Sequence, residues 1–338
     1  MRPVSEIGRF VNFFAACTQA VRCNKTFIRL TLFAVARDYL PATVGACMAP
    51  LAPDTAPELA LRRIVAGCRD DLLKYRKIVL AGRRAVGIHQ ARVALRRMRA
   101  AFSLFRGGAS SEVSVREMQT LADEAKWLAQ ELAPSRDLYV FLNETVHDVP
   151  KEVTRVANRL ARQHLERARA ALSGERFSIF DAMLSSFIEH EPAGLSSRLD
   201  EFGRTMLQAR HDKVLKRGRR LDSLDGPRLH RLRIAIKKLR YASEFLATAF
   251  AGAPFDSRAA KPYIEATARL QGALAILNDH AVADQILADL TAASRLSEVI
   301  DAALAKLGKQ AASGHKRRRH KLEQAWKRFG KVECFWRA

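Results

Sequence analysis

The chain has 338 residues, with 58 lysines and arginines against 35 aspartates and glutamates, and a formal net charge of +23. That excess disfavours cationic ligands and steers the protein toward polyanions. No stretch approaches 18 uninterrupted apolar residues, which argues against a membrane span. The cysteines (Cys17, Cys23, Cys47, Cys68, Cys334) form neither a C-x-x-C pair nor a Cys/His ligand spacing, which points to reduced thiols, a cytoplasmic setting and no metal site.

Residues 1–56 read as a poorly ordered or loosely helical extension. Its apolar Phe10–Val21 segment is a poor signal sequence because Glu6, Arg9 and Asn12 break the apolar region a signal needs. Pro41, Pro50, Pro53 and Pro57 mark its end. It holds six basic and three acidic residues, so +20 of the net charge belongs to residues 57–338. From residue 57 onward Leu, Ala, Arg, Lys and Glu recur in helical period and strand alternation is absent, which predicts an all-α fold with one continuous core.

The second predicted helix carries His89-Gln90-Ala91-Arg92-Val93-Ala94-Leu95-Arg96-Arg97-Met98-Arg99. At about 100° per residue, His89, Arg92, Arg96 and Arg99 share one face, and Ala91, Leu95, Met98 and Phe102 take the other. Gly107-Gly108 ends this helix, and Ser114-Val115-Arg116-Glu117 predicts a capping box opening the next. Pro134, Gly174 and Gly226-Pro227 predict further breaks, and Glu189–Ser197 a junction between two halves. Repeat 1 then covers about 57–190 and repeat 2 about 195–338, each a bundle of about four main helices.

The pattern returns 141 residues later as His230-Arg231-Leu232-Arg233-Ile234-Ala235-Ile236-Lys237-Lys238-Leu239-Arg240, in the frame H-x-x-R-(V/I)-A-(L/I)-(R/K)-(R/K)-(M/L)-R. His230, Arg233, Lys237 and Arg240 repeat the cationic face; Leu232, Ile236 and Leu239 repeat the apolar one. Packing alone constrains only the apolar side, so a charge pattern that keeps its phase marks a binding surface. No acid occurs from Arg83 to Arg106, or from Arg228 until Glu244. Like charges about 6 Å apart repel by roughly 2–3 kcal/mol at an effective dielectric near 20. Such a face lines a wet groove or holds an anion with several charges in a row.

The duplication extends further: Leu128, Leu132 and Arg136-Asp137 correspond to Leu270, Leu274 and Asn278-Asp279. Both acids sit where a helix is expected to begin, so Asp137 and Asp279 are predicted N-caps, with a role in holding neighbouring arginines as the sharper reading. Basic residues outside the motifs, namely Arg136, Arg167, Arg169, Lys213, Arg217, Arg319 and Lys321, are candidates for further cationic lining.

With both H-x-x-R helices, Arg136-Asp137-Leu138, Leu277-Asn278-Asp279 and the Lys237-Lys238-Leu239-Arg240-Tyr241 run, residues of about 57–335 resemble the CHAD family, the conserved-histidine α-helical domain. The resemblance implies two pseudo-symmetric helical units around a basic central groove or pore, binding of inorganic polyphosphate, and association with cytoplasmic polyphosphate granules. Carried over by position, the implied contacts are His89, Arg92, Arg96, Arg97, Arg99, His230, Arg233, Lys237, Lys238 and Arg240. Tyr139 departs from the acidic residue often found after Arg-Asp-Leu.

Enzyme readings have little support. Glu189-His190-Glu191 leads into Pro192 rather than an E-x-E-x-K strand, and Gly82–Gly87 lacks the Lys-Ser/Thr of a phosphate-cradling loop. The motif histidines are poor metal ligands, since position i+4 is Val93 or Ile234 and the surrounding arginines repel cations. They serve better as pH-sensitive donors to phosphate. His164, His190, His211, His280, His315 and His320 lack the repeat and are expected at the surface or in structural roles. The expected protein is therefore a non-catalytic polyphosphate receptor without cofactor or metal, taking other polyanions less well. The alternative is a basic helical nucleic-acid-binding protein, disfavoured because neither cationic face carries an aromatic platform.

Overall fold

The computed structural model describes residues 50–337 apart from residues 83, 109–111, 147, 191–196, 252–256, 294–297 and 313–314. The extension expected over 1–56 thus lies outside the described residues as far as residue 49. Leu51 is fully buried, and its backbone N–H donates to Thr248 Oγ1 at 3.0 Å.

The described residues contain eleven α-helices and no strand. They run as α1 (Pro57–Leu80), α2 (Arg84–Phe105), α3 (Glu112–Glu131), α4 (Ala133–Val140), α5 (Lys151–Ser173), α6 (Glu175–Glu189), α7 (Leu199–Gly218), α8 (Gly226–Leu246), α9 (Lys261–Ala293), α10 (Glu298–Ala312) and α11 (His315–Phe329). Local chemistry sets many of the ends. Pro57 starts α1, with Glu58 in its first turn and Lys77 in its last, and Gly82 beyond it adopts a left-handed φ of 95°. Asp225 caps α8 by accepting from the Arg228 N–H at 2.8 Å, ahead of the predicted Gly226-Pro227 start.

The predicted apolar faces face inward. Ala91, Leu95, Met98 and Phe102 of α2, and Leu232, Ile236 and Leu239 of α8, are all fully buried. α1 packs along α2, where Gly87 admits Val79: a Cβ there would lie 2.8 Å from Val79 Cγ2. α8 packs on α7, α9 and α2, so the two motif helices touch.

Three expectations are corrected. α3 begins at Glu112, so Ser114 lies inside its first turn and is not the N-cap; Glu112 puts a carboxylate at the positive end of the helix dipole. Asp137 lies within α4, which starts at Ala133 with Pro134 in its first turn. Asp279 lies inside α9, which runs unbroken for 33 residues, because Asn278-Asp279 is too weak a breaker to end a helix packed along its length. The core also divides in two. A main cluster draws on α1–α3 and α5–α9, with Leu322 and Phe329 of α11. A second joins Leu138, Phe141, Val153, Val156, Ala283, Ile286, Leu290, Leu304 and Leu307. α9, about 50 Å long at 1.5 Å per residue, outruns the first cluster and seeds the second.

Beyond α11 the chain folds back, burying Trp336 edge-on against Tyr263 at 4.8 Å between ring centroids. His211, also buried here, meets the Tyr263 hydroxyl at 2.7 Å, and burial lowers its pKa from the ordinary value. It is a structural histidine, as expected.

Candidate functional site

The contact between α2 and α8 brings the cationic faces of both motifs together. Lys237 of α8 is held between Arg96 and Arg99 of α2 and Arg233 and Arg240 of its own helix; burial, then these four charges, push its pKa down to about 7.

The motif cations separate into two groups by what the protein offers them. Arg92 donates to the Ala129 carbonyl at 2.5 Å; burial is the main cause of its pKa falling to about 10, opposed by Asp137. Arg97 and Arg240 share one carboxylate: Glu244 accepts from Arg97 at 3.1 Å and from Arg240 at 2.6 Å. Arg240 also donates to Gln271 Oε1 at 2.9 Å. Glu244 is thus a clasp between the helices, joining residues 147 positions apart. His89 is half-buried and His230 exposed, each with an interaction of its own.

Arg96, Arg99, Arg233 and Lys237 find no hydrogen-bond or ion-pair acceptor among the described residues, and the Arg96 Nε is buried without a partner. A buried guanidinium edge lacking an acceptor is costly unless water or an anion supplies one. Burial also lowers the Arg99 pKa, with Asp123 the acid that opposes it.

Lys238 points about 100° around α8 from Lys237 and belongs to a second cationic group. Burial lowers its pKa, reinforced by Arg210, Lys213 and Arg217 of α7 and by Arg106 just past α2. Arg210 donates to the Ser103 carbonyl at 2.9 Å, its pKa is pushed down to about 10 by burial, and the Nε atoms of Arg106 and Arg210 are buried without partners. Sequence reasoning named Lys213 and Arg217 but missed Arg106 and Arg210. The available signal was spacing: Arg210, Lys213 and Arg217 repeat the i, i+3, i+7 pattern of the two motifs.

Four of the five remaining lining candidates are engaged elsewhere. Arg136 pairs with Asp137 at 3.0 Å, and the Asp137 charge also acts on Arg92, the orienting role considered for it. Arg167 forms a two-point pair with Glu131 at 2.5 and 2.9 Å. Arg169 reaches the Val79 carbonyl, Arg319 the carbonyls of Leu221 and Asp222, and Lys321 is exposed. A separate cleft of about 410 Å³ between α4 and α5, lined by Tyr139, Asn143, Asn158 and Arg162, includes none of the motif cations. Among the described residues no His/Cys/Asp/Glu group could hold a metal ion, and no helix is long and apolar enough to cross a membrane.

The fold and this site define an all-helical protein in which two cationic helices cross with more positive charge than the described residues around them neutralise. Residues 63–288 match the CHAD domain family, and the chain belongs to it. The crystal structure of the CHAD domain from the plant Ricinus communis superposes with a TM-score of 0.71 at 26% identity, covering 84% of this chain and 95% of that one. PptA from Streptomyces chartreusis shares the fold at a TM-score of 0.55 and 16% identity, covering 84% of this chain and all of PptA. No curated protein sequence shows a significant match.

Proposed function

We propose that the chain is a non-catalytic receptor for inorganic polyphosphate, with Arg96, Arg99, Arg233 and Lys237 as the centre of the site. The observation that carries this reading is that these four cations converge from two helices without an acceptor among the described residues. A chain of phosphates supplies negative charge at matching density. Guanidinium forks and the ammonium group replace its counterions, whose release supplies much of the free energy. Arg92, Arg97 and Arg240, held by Ala129 and Glu244, position the helices and add field. In this reading the protein associates with polyphosphate granules in the cytoplasm.

The test is competition among long-chain polyphosphate, double-stranded DNA and RNA at fixed salt, followed by calorimetry on variants. Arg96→Ala with Arg233→Ala is expected to weaken polyphosphate binding by about 100-fold or more, at roughly 1.5–3 kcal/mol for one charge-assisted hydrogen bond per residue, while leaving the melting temperature unchanged or raised. Equal displacement by all three polymers would favour the nucleic-acid reading. Unchanged affinity in the double variant would place the site elsewhere.

A further inference from the structure

Lys237 differs from the other unpartnered cations in being an amine. It is partly buried at the crossing of α2 and α8, and no acceptor among the described residues holds its proton. The charged groups that act on it most strongly are Arg96 and Arg99 from α2 and Arg233 and Arg240 from α8. The nearby acid, Glu244, is already shared by Arg97 and Arg240. The surroundings therefore penalise the ammonium form and favour the neutral amine with its lone pair available. The same guanidinium groups would attract an incoming anion to that lone pair.

We infer that Lys237 is a site of acylation by small anionic acyl donors of the acyl phosphate class, with Arg96, Arg99 and Arg233 receiving the phosphate portion. This rests on the anion-binding reading above and extends it to a covalent modification. The amine attacks the carbonyl carbon and the C–N bond forms. The C–O bond to phosphate breaks, phosphate leaves into the arginine cluster with the bonding electron pair, and the nitrogen loses a proton to solvent. No oxidant, reductant or further reactant is needed. The amide product carries no charge, so acylation removes one of the four unpartnered cations and lowers affinity for a phosphate chain. Polyphosphate and acyl phosphate compete for one set of guanidinium groups, so an occupied site is protected from acylation.

A pKa of about 7 makes most of the amine neutral at pH 7.5, against about one part in a thousand for an ordinary lysine. Nucleophilicity falls as basicity falls, by roughly half a logarithmic unit per pKa unit as seen for thiols, which leaves a net advantage on the order of tenfold. The experiment treats the full chain with acetyl phosphate at pH 7.5 and measures acetylation at each lysine by peptide mass spectrometry. A parallel sample receives an uncharged N-hydroxysuccinimide ester of acetate, and both are repeated with tripolyphosphate. Lys237 is expected to react with acetyl phosphate on the order of tenfold faster than the exposed Lys327, to lose that lead at about pH 9, where an ordinary lysine also begins to lose its proton, and to be protected by tripolyphosphate. Arg96→Gln with Arg99→Gln is expected to slow acetyl phosphate more than the ester. A Lys237 rate no greater than that of Lys327 with both reagents would overturn the inference. So would a lead with the ester alone, since the phosphate would then not be docking. Calorimetry with tripolyphosphate on the same protein judges the anion-binding reading separately: binding without acylation sinks only the inference, and absence of binding sinks both.

Discussion

Replacing Glu244 with Gln isolates the clasp between the two motif helices. Its carboxylate, with 5% of the side chain exposed, accepts from Arg97 at 3.1 Å and from Arg240 at 2.6 Å. Glutamine keeps the shape but offers one acceptor oxygen and turns an NH₂ toward a guanidinium. One charge-assisted hydrogen bond is lost and the other becomes an ion–dipole contact. At about 1.5–3 kcal/mol for each such bond, the expected destabilisation is about 3 kcal/mol, the low end for breaking a buried pair. For a domain of this size, at roughly 2–4 °C per kcal/mol, the melting temperature falls by about 6–12 °C. Urea denaturation measures this directly, and the burial of Glu244 makes the loss nearly independent of added salt. Arg97→Met with Glu244→Gln is expected to cost less than the sum of the single changes, by about 1 kcal/mol or more. A loss for Glu244→Gln below about 1 kcal/mol, or strict additivity, would show that the clasp holds nothing together.

Four further outcomes are expected. A Cβ at Gly218 would lie 1.9 Å from Trp326 Cη2, so Gly218→Ala forces the indole out of its seat between α7 and α11 and costs about 2 kcal/mol by urea denaturation. Lys237 has its folded-state pKa depressed from 10.5 to about 7, so the unfolded chain binds more protons between those values and stability rises with pH across that window. Lys237→Met removes this slope and stabilises most at pH 6.5, by about 2 kcal/mol after allowance for partial exposure; equal gains at pH 6.5 and 9 would refute the cause. In the polyphosphate reading, a bound phosphate raises the Lys237 pKa again, so calorimetry in buffers of different ionisation enthalpy is expected to detect proton uptake near pH 7.5 that is reduced in Lys237→Met. Log affinity falls with log salt with a slope of about −3 for four neutralised phosphates, flattening by somewhat less than one unit in Arg233→Ala.

The helices and their buried faces were legible in the sequence because periodicity reports burial: Leu95, Met98, Leu232 and Ile236 are apolar where the core requires it. Punctuation was legible where it acts locally, at Pro57, Gly174 and Gly226-Pro227. It misled at Ser114, Asp137 and Asp279, where cap-like residues sit inside helices held by tertiary packing. At the site, spacing identified the cations but not which are already engaged. Glu244 was visible only as the end of an acid-free run, and nothing local shows that it reaches Arg97 on another helix. Arg106 and Arg210 stayed hidden because their meeting with Lys238 depends on how α7 lies against α8.

The way the core is assembled bears on where the protein can be cut. The family match ends at residue 288, inside α9, and begins at residue 63, inside α1. Trimming the polypeptide to those limits would delete Leu51, Ala60 and Leu61 at one end and Leu290, Leu304, Leu307, Leu322, Phe329 and Trp336 at the other, all buried. Tyr263 and His211 would lose their aromatic cover, and the second cluster its α10 wall. Both cationic helices would survive in such a fragment, but on a scaffold with its apolar seams open to water and prone to stick to its own copies. The buried core is wider than the recognisable motif, and the surplus covers the apolar surface on which the charged crossing rests.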